Sequence, residues 1–375
     1  ALGEPEWIMK ADLLMQLDRF DEAISSLESV LEITPENGHV RAHLSLLHML
    51  DDNHEVAGNL LVEASSKTWE CSEMHIQKGR LVLREADIAR DGTGHHDRGL
   101  VRGALTFFDT ALTFDREAPL AWVGRARTLR QLGELDEAEV SIVRAFRLDS
   151  NDPMILVEHA LLKIDQGNLP EAERLVHEAE TSLSDTEVLH YIRGLIAAER
   201  GNLDEARRRF DDVLVSDPNH VRARLNRATV AVLMNDHAIA LEDSELLLKQ
   251  YPELDLARLR RAEALMGLTK WEWAEIALRE IIERKPGHVP ALISMGATLC
   301  ALDRSEEALP PLDEAIRLDS DNPDAWHMRA QFYIEQGALP AALADLESAI
   351  SVDPSHTESL LHAAAIAHEI GPLDR

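Results

Sequence analysis

One stretch of this chain repeats, and the period limits the fold more tightly than any other feature. Pro323–His356 reads PDAWHMRAQFYIEQGALPAALADLESAISVDPSH and is 34 residues long. Counting Pro323 as place one, Trp326 is at place four, Ala330 at eight, Tyr333 at eleven and Gly337 at fifteen. Ala342, Leu346, Ala349 and Pro354 follow at places twenty, twenty-four, twenty-seven and thirty-two. Small and large apolar residues at helical spacing, broken by a glycine and closed by a proline, describe two antiparallel helices joined by a tight turn. From residue 119 the phase never slips, with repeats starting at 119, 153, 187, 221, 255, 289 and 323. Such a unit cannot bury its apolar faces alone, so the core must run between neighbouring units.

The same register covers the earlier residues less regularly. Repeats occupy 4–37, 38–71 and 72–118, which makes ten in all, and residues 357–370 add one further first helix. The second repeat is the weakest: its second helix carries Gly58-Asn59 and it exits through SSKTW without a proline. The third is longer than the period, and its DGTGHHDRG segment predicts an inserted surface loop at about 90–100 or an extended first helix that then breaks. Pro310-Pro311, about a turn into a second helix, predicts a kink or a tightened turn there. Residues 1–375 are read as a single solenoid.

These spaced positions resemble the tetratricopeptide repeat (TPR). The resemblance implies an all-α, right-handed superhelix of paired antiparallel helices whose inner groove is lined by first helices at places 2, 5, 9, 12 and 13. At those places Arg80, Arg84, Arg127 and Arg130 fall in neighbouring repeats. Guanidinium forks bind carboxylates bidentately, so an acidic peptide segment or a carboxyl terminus is the ligand they predict. The competing reading pairs them with the chain's own Glu85, Asp87 or Glu134. Further along, Tyr191, Leu195, Arg222, Leu225 and Leu259 take groove places and predict a largely apolar floor for an amphipathic helix or extended segment. Place seven holds Lys10, Lys78, Arg125, Arg193, Arg227, Arg261 and Arg329, which are expected to make structural ion pairs between repeats. The asparagine ladder of O-linked N-acetylglucosamine transferases is absent, because place six holds one asparagine, Asn226. The Lys/Asn clamp of chaperone-binding TPR domains is absent too.

Charge and composition narrow the partners. With 38 basic against 68 acidic residues the net charge is −30, which argues against nucleic acid or an anionic membrane. No apolar run approaches the ~20 residues needed to span a bilayer. Cys71 and Cys300 are far apart and show no CxxC, so neither a disulfide nor a zinc site is indicated. Among 17 histidines, His39 and His43 with Asp12 and Glu73, or His95-His96 beside Asp97, do not supply four ligands at fixed spacing, so no metal and no cofactor are expected. No HExxH, G-x-S-x-G, P-loop or dinucleotide fingerprint occurs, so catalysis is not expected. The expected role is a non-enzymatic scaffold or adaptor. The alternatives are the recognition arm of a larger enzyme and a module that self-associates weakly through its terminal helices. The compartment stays open, with the cytoplasm slightly ahead of a periplasmic or envelope-associated place.

Overall fold

A helix with one apolar stripe needs a neighbour to cover it, and here every helix finds one beside it in sequence. In the computed structural model the described residues are 4–16, 19–51, 53–66, 70–94, 96–183 and 186–370, and they form 21 helices and no strand. The chain gathers into two compact units, Ala1–Ser216 and Asp217–Arg375. In the first, helices alternate as first and second members of a pair: α1 Glu4–Gln16, α2 Phe20–Ile33, α3 Gly38–Leu50, α4 His54–Ser66, α5 Ser72–Thr93, α6 Arg98–Phe114. They continue as α7 Pro119–Leu132, α8 Leu135–Leu148, α9 Pro153–Asp165, α10 Leu169–Glu180, α11 Glu187–Glu199 and α12 Leu203–Ser216. The second unit holds α13 Val221–Leu233, α14 His237–Gln250, α15 Asp255–Gly267, α16 Trp271–Arg284, α17 Val289–Ala301, α18 Ser305–Leu318, α19 Pro323–Glu335, α20 Leu339–Val352 and α21 Thr357–Ile370. First helices pack on their own partners and on the next first helix, as α3, α5, α7 and α9 do in succession. Each unit is an α-solenoid of stacked helix pairs.

Close approach of a second-helix side chain explains why place eight stays small, and why place six is Gly124 in the fourth repeat. The Phe108 ring of α6 lies against Gly79 and Gly124; a Cβ added at Gly124 would come 2.1 Å from it, and one at Gly79 2.7 Å. Phe210 meets Gly194 and Leu312 meets Gly296 in the same way. The turn at place fifteen requires a left-handed residue. Gly133, Gly167, Gly201 and Gly337 supply it with φ between +71° and +83°, whereas Asn235, Thr269 and Asp303 adopt φ of 57–59° in repeats that have no glycine there. For β-branched Thr269 that conformation is strained, so the tertiary stack imposes it.

Basic residues at place seven tie the second helices together. Arg329 donates to Asp313 at 2.6 Å and to Asp345 at 2.8 Å, sixteen residues before and after it. Arg125 repeats the geometry with Asp109 at 2.9 Å and Ser141 at 2.6 Å, and Arg227 donates to Asp243 at 2.7 Å. Arg193 pairs with Glu180, and Arg261 lies 3.8 Å from Glu245.

The third repeat absorbs its extra residues as helix rather than as an open loop. α5 runs 22 residues to Thr93, Gly94 closes it with φ +79°, and Asp97 Oδ1 accepts from the amides of Gly99 and Leu100 to start α6. α18 runs through Pro310 and Pro311 as one helix. The missing donors there would have served the carbonyls of Glu306 and Glu307, whose residues are exposed to water.

Candidate functional site

First helices of successive repeats line a cleft of about 620 Å³ in the first unit. Leu46, Met49 and Leu50 come from α3; Arg80, Leu83, Arg84, Asp87, Ile88 and Asp91 from α5; Arg127 from α7; and Met154 from α9. Three of the four expected arginines therefore share one wall with thioether and aliphatic surface. Arg127 is answered by Asp87, whose other oxygen accepts from Gln131 at 3.3 Å. Arg80 differs. Among the described residues its guanidinium makes one hydrogen bond, to Gln77 Oε1 at 3.5 Å, and no carboxylate lies within ion-pair distance of it. Burial pushes its pKa down, and the positive charge of Arg127 adds to this against the pull of Asp152. It is a partly buried cation short of a counter-charge.

Arg130 departs from the expected patch. It turns to α9, where Glu158 accepts at 2.8 Å and Asp165 at 2.9 Å. Burial opposes its charge, but these two carboxylates outweigh burial and hold its pKa above the ordinary range. Saturated by its own neighbours, Arg130 has little to offer a ligand.

The expected apolar floor is also revised. Leu259 is 3 % exposed and packs with Ala262, Leu278 and Ile281, so it belongs to the core of the second unit. Leu225 is half-buried against Val221, Leu247 and Leu254, and Arg222 is half-buried on the same helix. In the first unit the Tyr191 ring leans on Phe210 with centroids 6.1 Å apart, and Leu195 is half-buried one turn on. Place five points to the packing seam as much as to the groove, and the period could not separate the two.

Several histidines have structural work. His220, His288 and His356 occupy the last place of their repeats and accept from the amides of Ala223, Ala291 and Ser359, capping α13, α17 and α21. His39 Nδ1 lies 3.0 Å from Glu73 Oε2, and Cys71 joins them with ligand atoms within 4.8 Å of one another. Burial and Glu73 push the Cys71 thiol up to about 11, which keeps it protonated. The side chain of Asp12 and all of His95 lie outside the described residues, and Asp97 is occupied in capping α6.

Sequence profiles of the tetratricopeptide repeat match residues 7–37, 93–153, 157–207, 191–252 and 296–370, together more than half of the chain. The chain belongs to the tetratricopeptide repeat family. ETO1-like protein 1 of Arabidopsis thaliana is 32% identical over 151 residues, covering 40% of this chain and 16% of that protein. DnaJ homolog subfamily C member 3 of Gallus gallus is 23% identical over 177 residues, covering 43% of this chain and 35% of that protein. The chain thus matches only a minor part of the length of these relatives. A tetratricopeptide repeat protein of Parabacteroides merdae superposes with a TM-score of 0.55 at 16% identity, over 66% of this chain and 98% of that one. The APC/C hetero-tetramer Cut9-Hcn1 gives 0.52 at 13% identity, over 98% and 76%. At such identities the structural likeness speaks for the fold alone. The TPR fold is typically a non-catalytic interaction module, which places the chain among protein–protein interaction scaffolds, and no helix among the described residues is long and apolar enough to cross a membrane.

Proposed function

We propose that this chain is a non-catalytic adaptor that holds an acidic peptide segment or carboxyl terminus in the cleft formed by α3, α5, α7 and α9. The observation that carries this reading is Arg80. Its guanidinium is partly withdrawn from water and, among the described residues, has no carboxylate within ion-pair distance. A ligand carboxylate supplies the missing charge, while Met49, Ile88 and Met154 offer adaptable apolar surface to a neighbouring side chain. Arg127, held by Asp87 through one guanidinium nitrogen, has further N–H donors to offer the same ligand carboxylate. Acidic flanks elsewhere in a chain of net −30 oppose long polyanions and favour a short segment.

Selection of displayed random peptides on the immobilised protein, followed by fluorescence anisotropy of the winners, tests this. Acidic or carboxyl-terminal sequences are expected. Arg80→Glu and Arg127→Glu should weaken them about 10- to 150-fold, the equivalent of one lost charged hydrogen bond of about 1.5–3 kcal/mol. Arg317→Glu, on the exposed surface of α18, serves as the charge control. Equal weakening by that control, or winners without acidic residues, overturns the reading.

A further inference from the structure

A second cleft, of about 650 Å³, lies on the opposite members of the pairs in the first unit, between α6 and α8 beside the start of α7. Leu112, Trp122, Val140 and Val143 form its apolar part, and Arg116, Arg144 and Arg147 stand around them. The Trp122 indole is fixed by donation from Nε1 to the Arg116 carbonyl at 2.9 Å, so one wall is rigid. Val140 is 68 % exposed and borders the same cleft as Trp122 and Val143.

The charge here runs against the rest of the array. Several second-helix arginines elsewhere are answered within the chain, Arg174 by Glu171 and Glu178, Arg279 by Glu275, and Arg317 by Glu314. Among the described residues, Arg116, Arg144 and Arg147 have no carboxylate within ion-pair distance. Acidic residues outnumber basic ones 68 to 38, so three adjacent arginines without a partner are not what composition alone delivers. The internal period shows how this arises. Places 22 and 26 hold the ion pair Arg174–Glu178 in the fifth repeat and Arg208 with Asp212 in the sixth, and place 26 holds Glu280 and Glu314 further on. In the fourth repeat the same two places hold Val140 and Arg144. Of the ion pair seen in the fifth repeat, the fourth has neither member: place 22 is an exposed valine and place 26 a cation. The one carboxylate in the cleft, Glu139, is engaged from α9 by Lys163 at 2.8 Å and His159 at 3.4 Å.

From these observations we infer a second docking site whose occupant is a short acidic peptide segment with one aliphatic or aromatic anchor. The anchor packs on Val140, Val143 and the Trp122 ring, and carboxylates to either side meet Arg144, Arg147 and Arg116. The volume falls within the ~300–1,000 Å³ of ordinary ligand pockets. Asp136 and Glu137 at the start of α8, and Asp115 and Glu117 before α7, border the cleft in sequence and disfavour a long polyanion. This site is distinct from the first-helix cleft and does not depend on it.

The test uses a fluorescein-labelled twelve-residue peptide with a single tryptophan flanked by aspartates and glutamates, read by anisotropy against the full chain. Wild type is expected to bind, and an isosteric Asn/Gln version of the peptide to bind at least 10-fold more weakly. Arg144→Glu/Arg147→Glu and Val140→Asp should each weaken binding about 10-fold or more, while Arg317→Glu, outside both clefts, changes it less than 2-fold and Arg80→Glu removes only the share bound at the first-helix cleft. All positions altered are exposed on helix surfaces or, for Arg80, outside the core, and circular dichroism confirms folding of each variant. No binding by wild type at ~1 mM peptide, or loss through Arg80→Glu alone, overturns the inference; the second outcome leaves the first-helix cleft as the peptide site. Tighter binding of single-stranded DNA or of anionic phosphatidylserine vesicles through the same arginines overturns it as well.

Discussion

Gly124→Ala offers the sharpest test of how this array is held together. In an exposed helix the change would stabilise by up to about 1 kcal/mol through propensity. Here the new Cβ lies 2.1 Å from Phe108 Cε1, 2.4 Å from Cζ and 2.5 Å from Cδ1. Carbon contacts relax near 3.5 Å, so the ring must retreat by roughly 1.4 Å. Retreat is limited, because the same ring edge is held against Gly79 of α5 and the side chain is 1 % exposed. Overpacking of a filled core costs about 1–3 kcal/mol and occasionally more. Taking the upper end of that range for so close a contact and subtracting the propensity gain, a net loss of about 2 kcal/mol is expected, or roughly 30-fold in a local equilibrium.

Hydrogen exchange reads this locally, since solenoid stability is a sum of repeat and nearest-neighbour contributions. Amides of α5, α6 and α7 should exchange about 30-fold faster, with α11 and α12 unchanged. Gly103→Ala is the control of opposite sign: its Cβ meets only Val82 Cγ1, at 3.9 Å, so exchange should slow or stay level. Shortening the ring with Phe108→Leu in the Gly124→Ala background should recover about 1–2 kcal/mol as coupling between the two sites. Strict additivity, or protection unchanged by Gly124→Ala, would refute the packing argument and leave Gly124 a matter of propensity. The clash bears on function, because Gly79 precedes Arg80 and Gly124 lies one turn before Arg127.

Three further outcomes are expected. Arg329→Met leaves Asp345, only 6 % exposed, without its donor and should cost about 2–3 kcal/mol in chemical denaturation, whereas Arg317→Met at an exposed pair with Glu314 should cost under ~1 kcal/mol. Burial lowers the pKa of His327 from 6.5, the charges of His362 and His356 lower it further, and Glu358 and Asp324 oppose them. The unfolded chain then binds a proton that the folded ring refuses, so stability is complete above pH 6.5 and falls as pH drops below it; His75 and His159 act in the same direction, and His327→Gln should flatten the melting temperature between pH 7 and 5.5. Burial pushes both Cys71 and Cys300 up to about 11, so iodoacetamide at pH 8 should modify them about 100-fold more slowly than an ordinary cysteine, and rapid labelling of the folded chain would contradict that environment.

Much of the molecule is written in its period. The 34-residue spacing determines the helix pairs, the left-handed turn at place fifteen and the small residue at place eight, because each is a local or nearest-neighbour requirement repeated along the chain. Even the place-seven ion pairs were legible, since a partner sixteen residues away has a fixed position in a regular stack. Charge balance was not legible in this way. The period placed four arginines on the first-helix face, but only packing decided that Arg130 is consumed by Glu158 and Asp165 while Arg80 is left with Gln77. It likewise could not tell the buried Leu259 from an open groove residue, because the same place faces seam or solvent according to how the next pair leans. The residues of the cleft at Val140 and Arg144 were present in the sequence, but no periodic rule marked them out. The cleft became visible as a site only when the tertiary structure set those side chains beside Arg116 and Trp122 and turned the one carboxylate there, Glu139, to Lys163 and His159, since whether a charge is spare depends on neighbours that only folding selects.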